Sequence, residues 1–132
     1  MSTNIPGLIK PGIGNVGSYQ VSGIPWVSSS VAPANSGTPV SFKFPYVTKF
    51  INIKNVNSTD VALRVGFSEN GIKGSNYFLL ASGEAFNGEL RVTEVYFLSD
   101  TADTVSFSII AGLTGIEARE LPLNWSGSVG VG

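Results

Sequence analysis

The chain has 132 residues with no cysteine and no histidine, which excludes disulfides, thiol nucleophiles, Cys/His zinc centres and histidine-based triads. Eight Lys and Arg stand against nine Asp and Glu for a net charge of -1, so there is no basic footprint for nucleic acid, and the length fits one domain with its own core. Charged residues make up 13% of the chain and hydrophobic residues 42%, about half the charge usual in soluble domains, a deficit that suits a surface covered by neighbours.

Residues 1–37 are rich in Gly, Pro, Ser and Asn, and Gly7, Pro11, Gly12, Gly14 and Gly17 break any hydrophobic period. Ile5, Leu8, Ile9, Ile13, Val16 and Tyr19 make this stretch more apolar than a disordered tail. We therefore expect an extended N-terminal arm that orders by docking elsewhere, with an additional strand around 26–31, followed by a folded domain over 38–132. No apolar stretch reaches the roughly 18 residues of a membrane span, and Lys10-Pro11-Gly12 interrupts the N-terminal segment before a signal-peptide core forms, so the chain reads as soluble without a targeting signal.

Val40, Phe42 and Phe44 alternate with Ser41 and Lys43, a period of two that predicts a half-buried strand ending at Pro45. Ile51 and Ile53 continue the pattern, and 55–60 supplies turn chemistry for a hairpin-like connection. Val61, Leu63, Val65 and Phe67 predict the next strand, and 69–75, with Asn70-Gly71 and Gly74, an open loop. The run 77–81 is apolar on both faces and predicts a strand buried on both sides. Between Glu89 and Leu98 the parity slips, which calls for a bulge, bend or change of strand near Thr93. Residues 100–103 read as a turn, Val105, Phe107, Ile109 and Ala111 as the last strand, and the chain from Thr114 onward as irregular. No segment has a helical period, so the fold class is an all-β sandwich or barrel, with jelly-roll, immunoglobulin-like and barrel forms still open.

Few residues offer chemistry. The carboxylate pairs Glu117/Glu120 and Asp100/Asp103 sit in predicted loops where solvation suffices, and Asp100-Thr101-Ala102-Asp103 lacks the Gly and terminal Glu of a calcium loop. Gly12-Ile13-Gly14-Asn15-Val16-Gly17 spells a dinucleotide fingerprint, but Pro11 precedes it where a strand is required. Catalytic, cofactor and metal residues are therefore expected to be absent. The aromatics Trp26, Tyr46, Phe50 and Trp125 fall off the core parity or in loops, which makes them candidate subunit-interface anchors. Trp125 is expected to pack on the body or on a neighbouring chain.

The segments Phe44-Pro45-Tyr46-Val47-Thr48, Val65-Gly66-Phe67-Ser68-Glu69-Asn70-Gly71-Ile72-Lys73-Gly74 leading to Asn76-Tyr77-Phe78, Ala111-Gly112-Leu113-Thr114-Gly115-Ile116 and Asn124-Trp125-Ser126-Gly127 resemble the small penton, or vertex, capsid proteins of large icosahedral double-stranded DNA viruses. The resemblance covers about residues 36–132. It implies a single eight-stranded antiparallel jelly roll and a virion structural protein, assembled in the infected host cell, with no enzymatic activity. It further implies that five copies form a homopentameric ring on each five-fold vertex among the major capsid protein and minor capsid proteins, with no direct nucleic acid contact and no small-molecule substrate. The arm would then lie on an adjacent subunit or beneath the shell. Two alternatives remain at this point: a carbohydrate-binding jelly-roll module that stacks sugars on Trp125 or Tyr46, and a trimeric fibre or tail-associated domain.

Overall fold

The computed structural model describes residues 24–121 and 124–132; the arm residues before Ile24, with the glycine-rich spelling at 12–17, lie outside them. Two four-stranded antiparallel sheets face each other. The first has the order β1-β8-β3-β6, built from β1 (Ile24–Ala32), β8 (Val105–Glu117), β3 (Tyr46–Asn55) and β6 (Ala85–Gly88). The second has the order β2-β7-β4-β5, built from β2 (Val40–Lys43), β7 (Glu94–Ser99), β4 (Leu63–Gly66) and β5 (Phe78–Leu80). A β-sandwich results, and the strand expected around 26–31 is the edge strand β1.

The period-two pattern explains the core. Ile51 and Ile53 of β3 and Phe107, Ile109 and Ala111 of β8 face Leu63 and Val65 of β4 and Val95 and Phe97 of β7, all nearly free of solvent. Phe97 and Phe107 stack across the two sheets at 4.1 Å between ring centroids, and Phe42 packs on both. Asn55 is the polar staple of this core. Its buried amide donates to the carbonyls of Val61 (2.8 Å) and Leu80 (2.9 Å) and accepts from the Asn57 N–H, which ties the end of β3 to the other sheet.

Several expectations are corrected. Residues 55–60 join β3 to β4 in the opposite sheet, a crossover and not a hairpin, because only β4 and β5 are neighbours both in sequence and in a sheet. The parity slip after Glu89, by contrast, is the change of strand expected near Thr93, since the chain leaves β6 in one sheet and enters β7 in the other. Residues 69–75 are not an open loop: Glu69–Lys73 forms a one-turn helix, α1, capped by the Ser68 hydroxyl, which accepts from the Gly71 N–H at 2.9 Å. Five residues are too few to display a helical period. β5 is an edge strand with Leu79 half exposed, not a strand buried on both sides. β8 continues through Glu117, where the sequence reads as irregular from Thr114, because it pairs with the start of β3 at Tyr46 past two register shifts.

The two sheets are covered unequally. α1 lies on the outer side of the second sheet, where Ile72 is fully buried against Gly66. Arg64 fastens it: the guanidinium pairs with Asp100 at 2.9 Å, donates to the Ile72 carbonyl at 3.5 Å and stacks over Tyr77 at 4.4 Å. The C-terminal tail adds a further layer, with the Ser68 hydroxyl donating to the Val131 carbonyl at 2.9 Å and Gly132 set against Gly71. No described segment covers the outer side of the first sheet, where Val27, Val31 and Ile110 stand exposed.

Candidate functional site

The structure does not bring the four candidate aromatics together. Trp26 on β1 is half-buried and closes the core rim, edge-on to Phe44 at 4.8 Å and tilted on Phe42 at 5.3 Å. Tyr46 opens β3 and also packs on the core. Phe50 alternates with inward Ile51, so it lies on the outer side of the first sheet, opposite Gly112 of β8. Trp125 is 51% exposed, and its indole N–H donates to the Arg91 carbonyl at 2.7 Å. It packs on the body by one edge and leaves a face open.

Asn124 positions that indole. Its carbonyl oxygen accepts from the backbone N–H and hydroxyl of Thr93 and from the Glu94 N–H, while its amide donates to the carbonyls of Phe67 (3.0 Å) and Glu94 (3.1 Å). Both amide atoms are engaged and the residue is 2% exposed, so its Asn-Trp-Ser sequon spelling leaves no room for a glycan. Asn124 and Trp125 both take left-handed backbone angles, with φ 46 and 64. Asn adopts that conformation readily; for Trp it is strained, and strain of this kind persists where surrounding contacts over-determine it.

Beside Asn124 a concavity is lined by Phe67, Ser68, Glu69, Glu94, Tyr96 and Ser126. Within it the Tyr96 hydroxyl donates to the Glu94 carboxylate at 2.5 Å. Burial foremost, then this hydrogen bond and the charges of Glu94 and Glu69, push the phenol up from 10.0 to about 12. The folded state thus holds a proton that the unfolded state has released between those values. The stability this contributes is present below pH 10 and is lost as pH rises toward 12. In an alkaline absorbance titration, Tyr96→Phe should remove a late-ionising phase, and Glu94→Gln should move that phase down while leaving it above 10. An unchanged curve for both variants would contradict the assignment.

One member of each carboxylate pair has a structural partner: Asp100 pairs with Arg64, and Glu117 with Arg119. The 100–103 turn is built from hydroxyls, with Ser99 accepting from the Thr101 N–H and Thr101 from the Asp103 N–H, both at 3.1 Å. Among the described residues no group of three or more potential ligands could hold a metal ion, and no helix is long and apolar enough to cross a membrane.

Two surfaces therefore stand out. One is the outer side of the first sheet, which no described segment covers; the other is the tail at 124–132, with Trp125 half exposed and Val129 fully exposed. The sequence carries a signal for the first that parity reading passed over: Val27 beside Trp26 and Ile110 beside Ile109 place apolar residues on both faces of β1 and β8. No protein-family model matches the chain, and no curated protein matches it in sequence.

Proposed function

We propose that the chain is a structural subunit of an icosahedral capsid, a penton protein whose five copies close a ring at the five-fold vertex of a double-stranded DNA virus particle, beside the major capsid protein and minor capsid proteins. In this reading the sandwich is a jelly roll. The strand orders β1-β8-β3-β6 and β2-β7-β4-β5 support it, since the chain winds back and forth between the sheets and its first and last strands lie side by side. The resemblance over residues 36–132 supports the same assignment.

The observation that carries the self-assembling role is the unequal cover of the sheets: among the described residues, α1 and the tail shield one outer face, and the other is uncovered and nearly uncharged, with Val27, Val31 and Ile110 exposed among serines and Asn52. A solitary soluble domain gains nothing from such a face, whereas a subunit buries it against a neighbour. A closed ring needs two different complementary patches on each subunit.

Native mass tests the reading. Five copies of the 13.8 kDa chain weigh about 69 kDa, and that is the expected species for the recombinant protein. A species of about 41 kDa, three copies, would replace the vertex reading with that of a trimeric fibre or tail-associated domain. A monomer at every concentration would count against self-assembly altogether.

A further inference from the structure

We propose that the tail knob formed by Trp125 and Val129 of one copy seats on the outer face of the first sheet of a second copy, which no described segment covers, a head-to-tail contact; this rests on the self-assembly reading above. The acceptor face is built from β1, residues 105–112 of β8 and residues 50–55 of β3, and Lys54 is its one charged residue. Val27 (68% exposed) and Ile110 (42%) stand side by side in register, and with Asn52 they line a shallow depression of about 370 Å³. Nine residues of β1 across three strands give a face of about 30 Å by 14 Å, about 400 Å² in projection and more as accessible surface. That approaches the roughly 500 Å² per partner that a specific interface needs, with the edge of β1 available to complete it.

The donor matches this face in chemistry and stiffness. Residues 124–132 carry no charged side chain, and Val129 is wholly exposed. Turn hydrogen bonds hold the knob: Ser128 N–H to the Trp125 carbonyl (3.0 Å), Val131 N–H to the Ser128 carbonyl (3.0 Å) and Gly127 N–H to the Gly132 carbonyl (3.1 Å). A knob ordered before contact loses little entropy on docking. The left-handed backbone at Trp125, where a bulky residue is strained, follows the buried Asn124 anchor and holds a half-exposed indole whose N–H is fixed on the Arg91 carbonyl. A tail that served only to cover α1 would have no use for an exposed indole at that position.

Topology separates the two patches. The end of the tail lies on α1, on the outer side of the second sheet, and Trp125 is tied to Arg91 in the segment that crosses between the sheets, so the knob and the acceptor face are two different patches. A contact between them is heterologous and repeats from copy to copy, closing into a ring when the rotation per step allows. Pairing of two acceptor faces would instead stop at a dimer and bring two Lys54 side chains into one interface.

The absence of cysteine makes the test clean. Val27→Cys and Val129→Cys lie at exposed positions where folding should be unaffected. Treated with a short bis-maleimide, an equimolar mixture of the two variants should give a covalent dimer, neither variant alone should, and the double variant should give a ladder that ends at the ring number. Val27→Asp should shift the native mass to the monomer at concentrations where the unmodified chain is assembled. An assembled native mass with no mixed cross-link overturns the contact while leaving self-assembly standing. Dimers of either variant alone overturn it in favour of a symmetric contact, and a chain that stays monomeric overturns both.

Discussion

Truncating Phe107 to alanine should remove about 4 kcal/mol of stability, the middle of the range for emptying a buried phenylalanine site. The residue is fully buried, stacks on Phe97 of the opposite sheet at 4.1 Å and also touches Phe42. The ring is therefore a main contact between two layers that share few hydrogen bonds. Its loss removes the transfer free energy of the ring and leaves a void walled by strands whose registers prevent collapse. With an unfolding entropy of about 0.28 kcal/mol/K for a chain of this length, the melting temperature should fall by about 14 °C. Urea unfolding should show a lower midpoint with an unchanged slope. A loss below about 1.5 kcal/mol would mean that the two sheets can close over the void, contrary to a core held in register on both sides. Because Phe107 touches neither exposed surface, the variant should still assemble at temperatures where it is folded.

That core was legible because burial on one side of a strand writes itself as alternation. Phe42, Ile51, Ile53, Leu63, Val65, Phe107 and Ile109 declare their faces residue by residue. The pairing of strands was not legible, because it depends on which strands become neighbours in space. Thus 55–60 looked like a hairpin loop when it is a crossover, and β8 looked finished at Thr114 when its partner at Tyr46 carries it on to Glu117. α1 escaped notice for want of length; its Ser68 cap and Glu69/Lys73 pair were present, but five residues cannot show a period. The candidate aromatics were sorted only by the fold. Trp26 and Tyr46, off the expected parity, pack on the core rim, whereas the exposed Val27 and Ile110 are masked in sequence by the core residues beside them.

Asn124 lies in a glycine-rich stretch that reads as irregular in sequence, and replacing it by alanine should be the most damaging change outside the core. Alanine removes both donors and the acceptor at once. The backbone N–H groups of Thr93 and Glu94 and the carbonyls of Phe67 and Glu94 then lose a partner in a site that is largely buried. Each such group costs about 1–3 kcal/mol when left unsatisfied. The protein has a cheaper response, which is to release the tail and let water reach those groups, so the loss is capped by the free energy of tail docking. We expect about 3 kcal/mol and a fall of about 10 °C in melting temperature, together with fast hydrogen exchange at Thr93 and Glu94. Gly71→Ala tests the same docking from the other end. In an exposed helix this change would help by up to about 1 kcal/mol, but here the added Cβ would sit 2.1 Å from the Val131 carbonyl oxygen and 2.8 Å from the Ser68 hydroxyl. The tail must lift or α1 must shift, so the sign should reverse. If the knob is the donor in assembly, both variants should lose the oligomer well below the temperature at which they unfold. Asn124→Ala with an intact oligomer and a melting point within 1 °C of the parent would show that the tail neither anchors through this residue nor carries the contact.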